Sequence, residues 1–289
     1  MRRPAPKTRD DVNHPGSKAK DRLPRVHCRA DPATIQLAES TRLLKTLGDW
    51  ADRSGFTSAV LDVSGITLGS FNYVMPDMAI DDRHAAWYSD TKTSEGALLT
   101  EAVAILGWRD GNWFAHIHAY WNEDGSNHLG HLLPDSLTME INAQISGYGI
   151  KGARFEADLD PETEFTLFRV KGDGPEKPFD QTNAIITTLA PFEDLHESVE
   201  ELARRLPAGT IDIMGLGSLA GAEFRSGPPM TGLISEILIR PGAKHSKQQP
   251  LELPVRCVDL DGNLFSGTVQ PGKCPTLVTC ELLLVAEPE

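Results

Sequence analysis

Cysteine, aromatic residues and long apolar runs are all scarce in this sequence. The four cysteines (Cys28, Cys257, Cys274, Cys280) are scattered with no C-x-x-C pair. That excludes a zinc knuckle and argues against a disulfide framework, so they read as free thiols of a reducing compartment. No apolar run approaches the roughly 20 residues of a spanning helix. The N-terminus carries no apolar signal core. The expectation is a cytoplasmic protein with no membrane partner. There is no G-x-S-x-G, no phosphate-binding P-loop and no H-E-x-x-H. The glycines of "GLGSLAG" (215–221) lack the spacing and the following helix of a dinucleotide loop, and "HESVEE" (196–201), with His196 and Glu200 one turn apart on a helix, reads as a solvent face.

Positive charge is also in deficit. Twenty-eight Lys and Arg face 41 Asp and Glu, for a net charge of −13. Nucleic-acid binders draw most of their affinity from phosphate contacts, so DNA is not the expected partner. The basic residues that cluster early (Arg2, Arg3, Lys7, Arg9, Lys18, Lys20, Arg22, Arg25) lie among prolines and polar residues. Residues 1–30 therefore read as a flexible arm. The alternative is a tail that docks on its own domain through "NHPG" (Asn13 to Gly16).

What is present first shows itself as internal repetition. At an offset of 152, Leu37-Ala38 falls on Leu189-Ala190, Leu43 on Leu195, Ala51 on Ala203, and Gly65 and Gly69 on Gly217 and Gly221. Farther on, at an offset of 137, Asp124-Gly125 falls on Asp261-Gly262 and Gly130 on Gly267. The first copy thus carries 15 more residues between Gly69 and Asp124. Each copy reads as a strand, an amphipathic helix and then several strands. The helical stripes are Leu43, Leu44, Leu47, Trp50, Ala51 and Leu195, Val199, Leu202, Ala203, Leu206. The fold class is α+β: two diverged copies of a mostly antiparallel sheet packed against a helix. The expected boundaries are 31–170 for the first copy, 171–181 for a linker and 182–289 for the second.

Four of the nine histidines lie within "HIHAYWNEDGSNHLGH", residues 116–131. Asp124-Gly125 is a strong two-residue hairpin signal. Centred there, residues whose numbers sum to 249 face each other, which sets His118 opposite His131. His116 points to the same face as His118. His128 pairs with Trp121 and points away. Three imidazoles on one face, with an open fourth position, form a ligand set for catalytic zinc. Imidazole equally suits nickel, copper or iron. The matching positions of the second copy are Leu253, Val255 and Thr268. That copy therefore reads as a scaffold, and the first as the carrier of the chemistry.

The extra residues of the first copy fall within Met75–Leu99, a polar stretch that suggests a lid or recognition loop. In it Arg83 is a candidate for holding a carboxylate, and His84 or Glu95 for a general base beside a metal.

"FAHIHAYWNEDGSNHLGHLL" resembles the signature of the plants-and-prokaryotes-conserved (PPC) domain: an HxH strand, a Gly-containing turn and a Gly-His-Leu return. "LGDWADRSGFTSAVLDVSGITLGSF" resembles that family's helix-then-strand segment. The likeness covers residues 34–168, with a second copy from 183 to 286 that lacks the three motif histidines. Where the family places two glycines before its third histidine, this chain has Leu129-Gly130. The resemblance implies an α+β fold, a tendency to form trimers and a metal site at His116, His118 and His131. Plant members join the domain to AT-hooks and are associated with DNA, but no Arg-Gly-Arg-Pro core is found here. The leading expectation is a metal-dependent enzyme of hydrolase or lyase type. Its ion would be divalent, zinc foremost, and its ligand a small polar molecule bearing a carboxylate. The alternative is a non-enzymatic ligand sensor or a DNA-associated regulatory module. A homo-oligomer, trimeric by preference, is expected.

Overall fold

The computed structural model describes residues 4–174, 182–207 and 209–287. Among them are two α-helices, Leu43–Ser54 and Leu195–Arg205, and a set of predominantly antiparallel strands. The α+β expectation is met at this level.

The strands form one continuous antiparallel path. In the N-terminal half the spatial order is Phe71–Val74, Ser126–Leu132, Asn112–Glu123, Ala97–Arg109, Ser58–Asp62, Ala143–Lys151 and Arg25–Leu37. The last of these crosses between halves. Its residues Arg29–Leu37 pair with Ala143–Lys151, while Arg25–Cys28 pair with the strand Ala184–Leu189. The path continues through Thr276–Ala286, Thr210–Leu219, Ser235–Ile239, Pro254–Asp259 and Leu264–Thr268.

Side-chain alternation then decides what each face meets. In the N-terminal half, Leu61, Ala104, Leu106, Ala115 and Ile117 pack with Leu43, Leu47 and Ala51 of the first helix. In the C-terminal half, Ile213, Ile237, Leu282 and Leu284 pack with Leu195, Val199 and Leu202 of the second. The opposite faces meet each other: Val60, Val103, Ile105 and Leu129 share a core with Met214, Leu216, Leu238 and Leu283. The layers therefore run helix, sheet, sheet, helix. Strands covered on both faces read as unbroken apolar runs, which explains "AVAIL" and "LLLVA".

Local chemistry caps one end of each helix. Gly55 closes the first in a left-handed conformation with φ 68°. The Asp194 side chain caps the second by accepting from the Glu197 N–H.

Three expectations need correction or a boundary. First, the N-terminal segment is not a free arm. Val12 is buried, His14 Nε2 lies 3.0 Å from the Leu277 carbonyl, and the Gly16 N–H donates to the Glu162 carbonyl at 2.8 Å. Arg22 pairs with the buried Glu162 at 2.5 Å and with Glu193 at 3.0 Å. Its charge answers carboxylates of its own chain, and the strand that follows begins at Arg25 rather than after residue 30. Second, His196 on the second helix, whose pairing with Glu200 suggested a solvent face, is buried 3.2 Å from the Leu251 carbonyl. Third, the expected linker 171–181 falls largely outside the described residues; the strand Thr166–Gly172 takes its first two positions.

Candidate metal centre

Two backbone features build the site. Asp124 and Gly125 both have positive φ, 51° and 80°, the requirement of a type I′ hairpin turn. The register that follows sets His131 opposite His118. His116 and His118 lie two residues apart on a strand and face the same way. That face is the inner one, shared with Val103, Ile105 and Leu129, so the imidazoles point at the C-terminal half. His128 pairs with Trp121 and stacks on it, at 5.4 Å between ring centroids. In the C-terminal half the corresponding hairpin is out of step by one: Val255 faces Gly267, not Thr268.

The candidate ligand nitrogens of His116, His118 and His131 lie within 4.8 Å of one another. His118 Nδ1 is 2.7 Å from the Ile237 carbonyl, which only accepts, so that nitrogen carries the proton. In neutral His118, Nε2 is then a bare lone pair. His116 Nδ1 lies 2.7 Å from Glu281 Oε2, so a neutral His116 that donates there also presents Nε2 as a lone pair. These two Nε2 atoms stand 3.1 Å apart. Two lone pairs at that distance repel unless a proton or a cation lies between them. Nitrogens on one tetrahedral zinc at about 2.1 Å would be about 3.4 Å apart. The observed spacing fits such an ion.

The surroundings favour neutral imidazole, the form that binds metal. Burial, and then the neighbouring His116, hold His118 well below the usual histidine range. Burial, His116 and His118 do the same for His131. Two buried carboxyls of the C-terminal half face the cluster. Glu281 bonds His116, the outer-partner arrangement that orients a metal-bound histidine. Glu236 Oε1 lies 3.8 Å from His118 Nε2 and 4.0 Å from His131 Nδ1. Burial pushes the Glu236 carboxyl up to about 8.

Two openings reach the histidines. A cavity of about 90 Å³ is lined by Trp87, Tyr88, His116, His118, Glu236 and Thr279 among others. A groove of about 730 Å³ runs past His116, His131, Glu281, Phe114 and Arg109. The Tyr88 hydroxyl lies 3.3 Å from His131 Nδ1. Trp87 and Tyr88, from the stretch Met75–Leu99, thus form part of the walls of the site.

The three other sequence candidates lie elsewhere. Arg83 pairs with Glu164. The ring of His84 sits 2.6 Å from Asp81 and packs against Trp87 and Phe165. Glu95 is exposed, its N–H donating to Glu123. None of them lines the cavity or the groove. Sequence reading missed Glu236, Glu281 and Arg109, and gave Tyr88 no role. The available signal for the two glutamates was an acid inside an apolar strand, in "SEILI" and "TCELLLVA".

No protein-family model matches the chain, and no curated protein does. Solved structures do. A plant- and prokaryote-conserved (PPC) protein of Pyrococcus horikoshii is 16% identical, with a TM-score of 0.37, over 49% of this chain and 94% of its own. The chain is similar to PPC proteins. The metal-containing protein AF0104 of Archaeoglobus fulgidus is 16% identical, with a TM-score of 0.37, over 48% of this chain and 92% of its own. A candidate DNA-binding protein of Ralstonia eutropha is 18% identical, with a TM-score of 0.36, over 47% and 88%. Each likeness spans about half of this chain, and the PPC family, which the histidine hairpin resembles in sequence, is among them.

Proposed function

We propose that this chain is a metal-dependent enzyme of hydrolase or lyase type, built from two diverged PPC-like copies. In this reading His116, His118 and His131 hold one divalent ion, zinc foremost. The second copy serves as scaffold and closes the site. The observation that carries this is the 3.1 Å approach of two histidine Nε2 atoms whose Nδ1 positions are both occupied by acceptors.

A divalent ion there supplies a Lewis acid or an activated water. The protein does the rest. The Ile237 carbonyl fixes the His118 tautomer and Glu281 that of His116. The buried strands on both sides exclude bulk water, which strengthens every charge interaction at the site. The Tyr88 hydroxyl stands ready to donate a hydrogen bond beside His131. Arg109 lines the groove with its guanidinium over the Phe114 ring, 5.3 Å from the centroid. Its ion-pair neighbour is the exposed Asp110 at 3.9 Å. It takes over from Arg83, already bound to Glu164, as the group that seats a carboxylate. The ligand class is a small polar carboxylate.

The PPC resemblance adds a trimer, checked by sedimentation. The experiment for the main reading is elemental analysis of purified protein, followed by a mass-spectrometric screen for metabolites that it consumes. One divalent ion per chain and a metal-dependent turnover support it. A metal-free protein that takes up no added zinc, cobalt or nickel ends it.

A further inference from the structure

Glu236 is an acid in an unusual place. All five residues of its strand, Ser235–Ile239, are buried, and Glu236 itself is only 4% exposed. Its Oε2 has no hydrogen-bond partner. The cationic side chains nearest along the sheet are committed elsewhere: Arg240 and Arg256 both clamp Glu101. The side chains that stand within 4.0 Å of Glu236 Oε1 are the imidazoles of His118 and His131. A buried, unpaired carboxylate is costly, and folds keep one only where something compensates it.

We propose that Glu236 is the fourth protein ligand of the centre, making a three-histidine, one-carboxylate set drawn from both halves of the chain. This rests on the metal-site reading. The direction is right, because Glu236 shares the inner face with Leu238 while Ile237 and Ile239 turn to the second helix. The distance is right as well. Ligand atoms around one ion at about 2.1 Å stand about 3.0–3.4 Å apart. From 3.8 and 4.0 Å, Oε1 reaches that spacing by moving less than about 1 Å.

The chemical consequence concerns ion choice. Three imidazoles and an open position suit zinc. A hard carboxylate oxygen added to them widens the set toward manganese, iron, nickel or cobalt, which accept five or six ligands and keep a position for substrate. The groove that carries Arg109 also reaches His116 and His131.

The test uses the full chain, stripped of metal by a chelator and titrated with cobalt(II). Calorimetry and the visible cobalt bands are read for wild type, Glu236→Gln, Glu236→Ala, Glu281→Gln and His118→Ala. Glu281→Gln sets the scale of an outer partner, about 10–100-fold weaker binding with band positions kept. Glu236→Gln is expected to weaken binding beyond that scale and to move the bands, because a ligand atom has been lost. Thermal unfolding of the metal-free variants checks that they fold, and Glu236→Ala stands in if the Gln variant does not. Wild-type affinity and bands in both Glu236 variants would overturn the assignment while leaving the histidines intact. Wild-type cobalt binding by His118→Ala would instead remove the three-histidine site, and this proposal with it.

Discussion

His116 Nδ1 and Glu281 Oε2 lie 2.7 Å apart, although 165 residues separate them in the chain. One residue belongs to the hairpin half and the other to a strand that carries no histidine of the cluster. The pair brings a carboxyl group of the C-terminal half into contact with the histidine cluster.

Removing that carboxylate has a defined cost. Glu281→Gln keeps the size of the side chain and lets the amide oxygen accept from His116, with less charge. Zinc affinity should fall about 10–100-fold, measured by competition with a chromophoric chelator.

His118→Ala removes a ligand outright. Elemental analysis should then find the purified variant metal-free. The chain should stay folded by circular dichroism, because the layer around His118 is built by apolar residues such as Val103, Leu129 and Leu238.

Glu101 ties the halves together by ion pairing. Burial raises its pKa, but hydrogen bonds from Arg256 and Arg240 outweigh burial and bring it below the ordinary value. The sign follows: a carboxyl depressed in the fold adds stability above its unfolded pKa of about 4.3 and loses it as pH falls through the folded value. Glu101→Gln should cost about 1–3 kcal/mol at pH 7. The difference from wild type should shrink toward pH 3, as denaturant midpoints across pH would show.

Gly16 is a tight approach in the docked N-terminal segment. A Cβ there would stand 1.8 Å from the Pro161 carbonyl oxygen. Gly16→Ala should destabilise by about 1–3 kcal/mol, through overpacking, or strip the segment from the body. Calorimetric melting and protease sensitivity before Arg25 distinguish the two.

Arg109→Ala leaves the histidines untouched. Metal content should stay at the wild-type level, while binding of small carboxylates to the loaded protein, read by calorimetry, should weaken about tenfold or more.

The hairpin was legible because its determinants are local. Asp124-Gly125 fixes the turn, strand alternation fixes the face, and together they predict that His118 meets His131. The helices were legible for the same reason, through a 3.6-residue stripe closed by Gly55. His196 shows where the pattern fails: a helix face taken as solvent is covered by the loop that carries Leu251. Glu236 and Glu281 were invisible because they reach the histidines only when two sheets stack, and strand alternation does not say which sheets will meet. The N-terminal segment looked too polar to pack, yet His14, Gly16 and Arg22 dock it through hydrogen bonds and ion pairs rather than by an apolar stripe.

The strand Arg25–Leu37 is hydrogen-bonded to both sheets, with Arg25–Cys28 zipped to Ala184–Thr187. Cohesion between the halves therefore does not depend on the peptide bonds between Gly174 and Thr182. A gene cut there and expressed as two fragments should yield a reassembled, nicked molecule. Its recovered cobalt colour would then report how faithfully the pieces had found each other.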